Sequence, residues 1–194
     1  VKQELTKNAI ISVLLAMIGI IIYLSFRFKF SYAVAAVVAL VHDVCIVFAL
    51  FAIFHIEISV MFIAAILAII GYSVNDTIVG FDRIRENLKE EKKITKSSLV
   101  RICNKSIQET FTRTINTSFT TILPVLSLLF LGSSGILTFN LAMLFGLISG
   151  TYSSIFIATV LFIKLEEKDL TKKKKPKRIY TDEFEEKKVK GVNC

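Results

Sequence analysis

The chain has 194 residues, 54% of them hydrophobic, with a mean hydropathy of +0.64 and a formal net charge of +8. One soluble domain of this length does not carry several uninterrupted apolar runs of spanning length, and β-barrel strands are about half as long and strictly alternating. The composition therefore describes an all-α integral membrane protein.

In chain order, the sequence predicts a five-helix transmembrane bundle over residues 1–165, with spans at about 9–26, 31–54, 58–80, 113–131 and 138–163, and a charged tail over 166–194. The chain opens on VKQELTKN, with neither a Met nor a cleavable signal pattern, and reads as the later part of a longer protein. The second span contains His42 and Asp43. His42 sits beside Asp43 on a different helical face, and its simplest reading is a hydrogen-bonded core imidazole. The third ends in GYSVNDTIVGFDRIREN and runs on into DRIRENLKEEKK, whose acid–base pairs suit a cytoplasmic helical extension. Leu99, Cys103, Ile107 and Phe111 then follow at steps of four. That stripe predicts an amphipathic elbow lying along the cytoplasmic membrane surface before the fourth span. Pro124 removes one backbone hydrogen bond inside the fourth helix and predicts a kink there. Beyond Leu170 the chain is charged and low in complexity, which predicts a disordered basic tail.

Charge sets the expected orientation. The loop at Arg27 and Lys29, the stretch 83–105 and the tail together carry 21 of the 24 Lys and Arg residues, while the opposite side holds Lys2 and Lys7. By the positive-inside rule the N-terminus of the chain is outside and the C-terminus cytoplasmic. The KKKKPKR run is of a kind that also binds nucleic acid, but on a bilayer protein orientation and contact with anionic lipid explain it, and no specific nucleic-acid partner is expected. Cys45, Cys103 and Cys194 show no metal-ligand spacing and no disulfide framework, so neither a metal nor a cofactor is expected.

Asp76 stands out chemically. A carboxylate within a spanning run is costly and marks an ion or proton path unless it lies at the interface and reaches for water. Tyr72, Ser73 and Asn75 surround it with polar groups that an anchor would not need. In lipid, helices pack through small residues. Gly146, Gly150 and Ser154 form one small-residue ridge, expected to contact a partner subunit, and Ala35 and Ala39 lead at the same step to Asp43. Ala64, Ala68 and Tyr72 lead likewise to Asp76, so both acids are expected to face the bundle interior. Arg113, with Asn116, Thr117 and Thr120 on its own face, lies near the same depth as Asp76, and the two are expected to pair across the bundle. Asp43 lies about 18–20 Å into its span by helical rise.

The strings LVHDV, GYSVNDTIVGFDRIREN and SIQETFTRTINTSFTTILPVLSLLFLG, followed by GLISGTYSSIFIA, resemble the SecF family of bacterial protein-export subunits, within the resistance–nodulation–division superfamily of proton-driven transporters. The resemblance runs from about Thr6 to Lys164, and covers about the last two-thirds of such a subunit. It implies an auxiliary subunit of the Sec translocase in the bacterial cytoplasmic (inner) membrane. That subunit partners SecD and uses the proton-motive force to help preproteins through the SecYEG channel. It also implies that Asp76 and Arg113 are the intramembrane acid and base of a proton pathway, with Asn75, Tyr72 and Asp43 beside them. The earlier helix and extracytoplasmic domain of the family are not in this sequence.

Three other readings compete. An intramembrane aspartyl protease needs two carboxylates sharing a proton at close range, whereas Asp43 and Asp76 lie at different depths and no GxGD string occurs, so the chain does not read as an enzyme. Another superfamily transporter, for lipid or drug, fits the DRIREN string and the five-helix length poorly. A purely structural translocase subunit stays open at this point.

Overall fold

The computed structural model describes residues 2–91 and 94–173. It consists of α1 (Lys2–Arg27), α2 (Phe30–Ile53), α3 (Val60–Glu90), α4 (Lys96–Leu131), a 3₁₀ turn (Ser134–Ile136), α5 (Leu137–Tyr152), a π-helical segment (Ser153–Ala158) and α6 (Thr159–Lys173). The last three helical pieces form one rod, within the apolar helical run Ser134–Thr171. Four helices among the described residues are long and apolar enough to cross a membrane: α2, α3, α4 and that rod. α1 is apolar over the shorter stretch Ile11–Arg27. The basic tail beyond residue 173, with its expected lipid contact and disorder, lies outside the described residues.

Local chemistry explains the helix ends. Arg27 and Lys29 flank a short break between two apolar helices, where the chain leaves and re-enters the apolar zone. α2 closes with His55 in the left-handed region (φ 52°). The Ile56 amide there bonds the Phe51 carbonyl at 3.0 Å, and the His55 amide bonds Ala52 at 3.3 Å, a paired closure that satisfies two carbonyls left open at the helix end. Thr95 starts α4 with a reciprocal cap: its hydroxyl accepts from the Ser98 amide at 3.2 Å, and its own amide donates to the Ser98 hydroxyl at 2.8 Å.

α4 differs from expectation. Residues 96–131 form a single continuous helix that includes Pro124, so the elbow is not a separate element. Its stripe does not lie on the membrane either. Leu99 and Cys103 are fully buried in the chain's own core beside Phe28, Phe81 and Phe162, and only Phe111 faces outward. An apolar stripe at helical spacing fits a neighbouring helix as well as it fits lipid, and here α3 and α6 cover it.

Two apolar cores hold the bundle. Tyr32 stacks on Phe162 at 4.1 Å and meets Phe81 edge-on at 5.1 Å, around the buried small residues Ala35, Ala36 and Ala39 of α2. The second core gathers Val47 and Phe51 of α2, Phe62 to Ile70 of α3, and Ala142 of α5. Small side chains let the backbones approach, which is what drives helix association in lipid.

The glycine ridge of α5 belongs to this internal packing. A Cβ on Gly146 would collide with the Ile69 side chain, and one on Gly150 would lie 3.3 Å from the Ser73 Cβ. The ridge expected to meet a partner subunit is thus covered by α3 of the same chain. Gly146→Ala should therefore destabilise the bundle by about 1–3 kcal/mol, because all of the branched Ile69 side chain must move. Ile69→Ala should recover part of that loss in the double variant. Helicity followed during denaturation measures both, and equal loss in the single and double variants would show that Ile69 is not the obstacle.

Candidate functional site: two enclosed carboxylates

Asp43, on α2, is 1% exposed and accepts three hydroxyl hydrogen bonds. Ser73 of α3 donates at 2.7 Å, Ser149 of α5 at 2.9 Å, and Ser153 of the π segment at 2.8 Å. His42 is half-buried rather than turned away, and its Nδ1 lies 3.3 Å from the Asp43 carboxylate. Helical periodicity brings the donors together: Ser149 and Ser153 are four apart with Gly150 between them, which admits the carboxylate at close range. One side chain of α2 thereby ties three helical elements.

Asp76 has different surroundings. It is 5% exposed, and its Oδ2 is buried with no hydrogen-bond partner among the described residues. It lines a cavity of about 20 Å³ together with Gly80 of its own helix, Thr110 and Thr114 of α4, Ser154 of the π segment and Thr159 of α6. That volume suits about one water molecule. Ile84, Ile107 and Ile155 complete the lining, so the chamber carries four hydroxyl-bearing residues beside the carboxylate on otherwise apolar walls. Such a chamber can hold a proton carrier without exposing it to lipid.

The π segment joins the two carboxylates. π-helical insertions are rare and concentrate at functional positions. Here Ser153 turns to Asp43 while its neighbour Ser154 faces the Asp76 cavity. On α3, Ser73 serves Asp43, stands three residues before Asp76, and accepts through its carbonyl from the Thr77 hydroxyl at 3.0 Å. The ridge drawn through Gly146, Gly150 and Ser154 therefore splits: Ser153, four residues after Ser149, reaches Asp43 with it, while Ser154 lines the other cavity.

Arg113 does not pair with Asp76. It is exposed and forms no ion pair among the described residues. The reason is angular: its neighbour Thr114 is buried at the Asp76 cavity, and a side chain one residue earlier points about 100° away around the helix. Arg113 instead lines an open groove of about 440 Å³ with Asp82, Arg83, Glu86 and Glu109. Asn116 and Thr120, on its face, are exposed too, as is Asn75 next to Asp76. Tyr72 is half-buried and accepts from the Thr121 hydroxyl at 3.4 Å, a tie between α3 and α4. Towards the polar ends of these helices, Asn87 donates to Ser106 and to Glu109 at 2.8 Å each, and Arg83 reaches Glu109 at 2.7 Å.

The sequence reading reached Asp43, Asp76 and Ser73, but it missed Ser149, Ser153, Thr114 and Thr159. The step of four from Ser149 to Ser153 was a usable signal. Thr159 directly follows the π segment, which has no sequence signature.

A multi-pass helical membrane protein with two enclosed carboxylates in its bundle is the class that fold and site define. Residues 1–168 match the family model for protein export membrane proteins SecD/SecF, C-terminal part, and the chain belongs to that family. It is 47% identical over 172 residues to the protein translocase subunit SecDF of Bacillus subtilis, across 89% of this chain and 23% of that protein. It is 41% identical to the protein translocase subunit SecF of Alicyclobacillus acidocaldarius, across 89% of this chain and 56% of the relative. A crystal structure of SecDF, described as a translocon-associated membrane protein from Thermus thermophilus, superposes with a TM-score of 0.78 at 42% identity, over 83% of this chain and 22% of that one. The chain thus spans between about a quarter and just over half of the relatives it matches.

Proposed function

We propose that this chain is the SecF-type membrane portion of an auxiliary Sec translocase subunit, which uses the proton-motive force to assist preprotein export across the bacterial cytoplasmic membrane. The observation that carries the reading is Asp76: a buried carboxylate with an unpartnered oxygen, beside a hydroxyl-lined chamber, in a chain of the SecD/SecF family. Asp43 serves as the structural tie of the bundle, and its serines adjoin the chamber. A SecD-type half is the partner, since relatives occur as SecDF fusions. The exposed face of Arg113, Asn116, Thr120 and Asn75 supports such a partner, because lipid contact with a charged and amide-bearing face is unfavourable. This face replaces the glycine ridge as the expected contact. SecYEG and the emerging preprotein complete the assembly in this reading, and no enzymatic step is assigned.

The test is substitution of this chain for the matching segment of a SecDF protein in cells lacking their own copy. Export of a preprotein, measured with and without an imposed proton gradient, should recover its gradient-stimulated part. Recovery of complex assembly alone, with no stimulation, would favour a purely structural subunit.

The proposed orientation puts the start of the chain outside and residues 83–105 in the cytoplasm. With the native cysteines replaced, an impermeant thiol reagent added from outside should label a cysteine at Ser133 and spare one at Glu90. The opposite pattern would reverse the topology.

A further inference from the structure

A separate pocket of about 310 Å³ opens where α1, α2, α3 and α6 reach their polar ends, away from both carboxylates. Arg27, Lys29, Arg85 and Lys89 line it, with Glu166 the one acidic lining residue. Its depth follows from the chain. Arg27 ends the apolar stretch Ile11–Arg27, and Lys29 directly precedes the apolar helix Phe30–Ile53. Both cations therefore stand at the level where hydrocarbon gives way to headgroups. Leu88, Leu99 and Tyr32 complete the lining with apolar and aromatic groups.

The charges here are not balanced from within. Asp82 is shared by Arg27 at 3.4 Å and Arg85 at 3.1 Å. Glu166 approaches Lys29 at only 4.0 Å, and Lys89 has no ion pair among the described residues. Four cations thus meet two carboxylates. The Phe28 ring fixes two of the cations, with the Arg27 and Arg85 guanidinium carbons 5.7 and 5.4 Å from its centroid. The Arg85 Nε is buried and has no hydrogen-bond partner among the described residues, although buried polar groups are normally satisfied. Excess positive charge and fixed guanidinium groups at headgroup depth are complementary to an amphiphile with an anionic head.

We infer that this pocket holds the phosphodiester headgroup of an anionic phospholipid. Guanidinium groups suit phosphate oxygens geometrically, and basic pockets between membrane helices favour anionic headgroups. A zwitterionic headgroup brings its own cation into a site already in positive excess and is disfavoured.

The test uses the purified 194-residue chain in non-ionic detergent, titrated with phosphatidylglycerol or phosphatidylcholine and read by native mass spectrometry. Phosphatidylglycerol should bind saturably and at least about tenfold more tightly than phosphatidylcholine. Lys29→Gln/Lys89→Gln should weaken its binding by about 30-fold, with helicity unchanged because both side chains are exposed. Lys105→Gln/Lys168→Gln, which removes the same charge outside the pocket, should leave binding as it was. The proposal is overturned by equal retention of the two lipids, by wild-type binding in the pocket variant, or by equal loss in the control variant. Displacement of the lipid by inorganic phosphate overturns it as well, since the site would then serve a soluble phosphate.

Discussion

Asp76→Asn in an otherwise complete complex should abolish the gradient-stimulated part of preprotein export and leave assembly and gradient-independent export intact. The substitution keeps size and shape, so the chamber bounded by Thr110, Thr114, Ser154 and Thr159 stays filled to the same extent. The amide places its NH₂ where Oδ2 now has no partner, beside a cavity that suits about one water molecule. What is lost is the ability to take up and release a proton. Magnitudes support a chamber of this kind over a dry ion pair. A proton crossing about 100 mV releases about 2.3 kcal/mol, while neutralising one partner of a fully buried pair costs about 3–5 kcal/mol. With Arg113 turned to the groove rather than paired with Asp76, protonation does not have to break such a pair. Full stimulation in the Asp76→Asn complex would remove Asp76 from the mechanism and leave the structural-subunit reading as the better one.

How much of this was legible in the sequence depends on what kind of fact is asked for. The apolar runs and the basic asymmetry carry the all-helical membrane class, because hydrocarbon admits few alternatives to a helix. The inward direction of Asp43 followed from its sharing a face with Ala35 and Ala39, which are buried; the same argument failed for Asp76, because Ala64 and Ala68 are exposed and the acid turns inward with Ile69 and Ser73 instead. Partnership was harder. The glycines at 146 and 150 do mark a close-packed face, but a face tuned for close approach does not say whose backbone approaches, and here it is α3 of the same chain. Arg113 and Asp76 share a depth, yet depth leaves rotation about the helix undetermined, and the burial of Thr114 decides it. The stripe at Leu99 and Cys103 failed in the same way, since lipid and a neighbouring helix present similar surfaces. The π segment lay out of reach altogether: the wider turn over Ser153–Ala158 depends on tertiary packing, and it lies where one serine serves Asp43 and the next lines the Asp76 cavity.

The second large effect is on stability and lies at Asp43. Asp43→Leu should lower the unfolding free energy of the bundle by about 2–5 kcal/mol, from the loss of three interhelical bonds at about 0.6–1.7 kcal/mol each. Leucine keeps the branched shape and leaves no cavity, but its methyl groups are larger than the carboxylate oxygens, so overpacking against the three hydroxyls adds to the loss of the hydrogen bonds. The hydroxyls of Ser73, Ser149 and Ser153 all lose their acceptor at once. Ser153 has a second acceptor in the Gly150 carbonyl at 3.2 Å, which places the expected loss towards the lower end of that range. Asp43→Asn should be milder, since the amide keeps one carbonyl oxygen and a hydroxyl can rotate to accept from the new NH₂. Denaturation followed by helicity in mixed micelles gives both values. A further set separates the tie from a general sensitivity to change: Ser73→Ala, Ser149→Ala and Ser153→Ala should each destabilise the parent but have much smaller effects in the Asp43→Leu background, because their shared acceptor is already gone. Additive losses in that background would mean that the serines act independently of Asp43, and the three-way tie would then not be what holds α2 to α3 and the last rod.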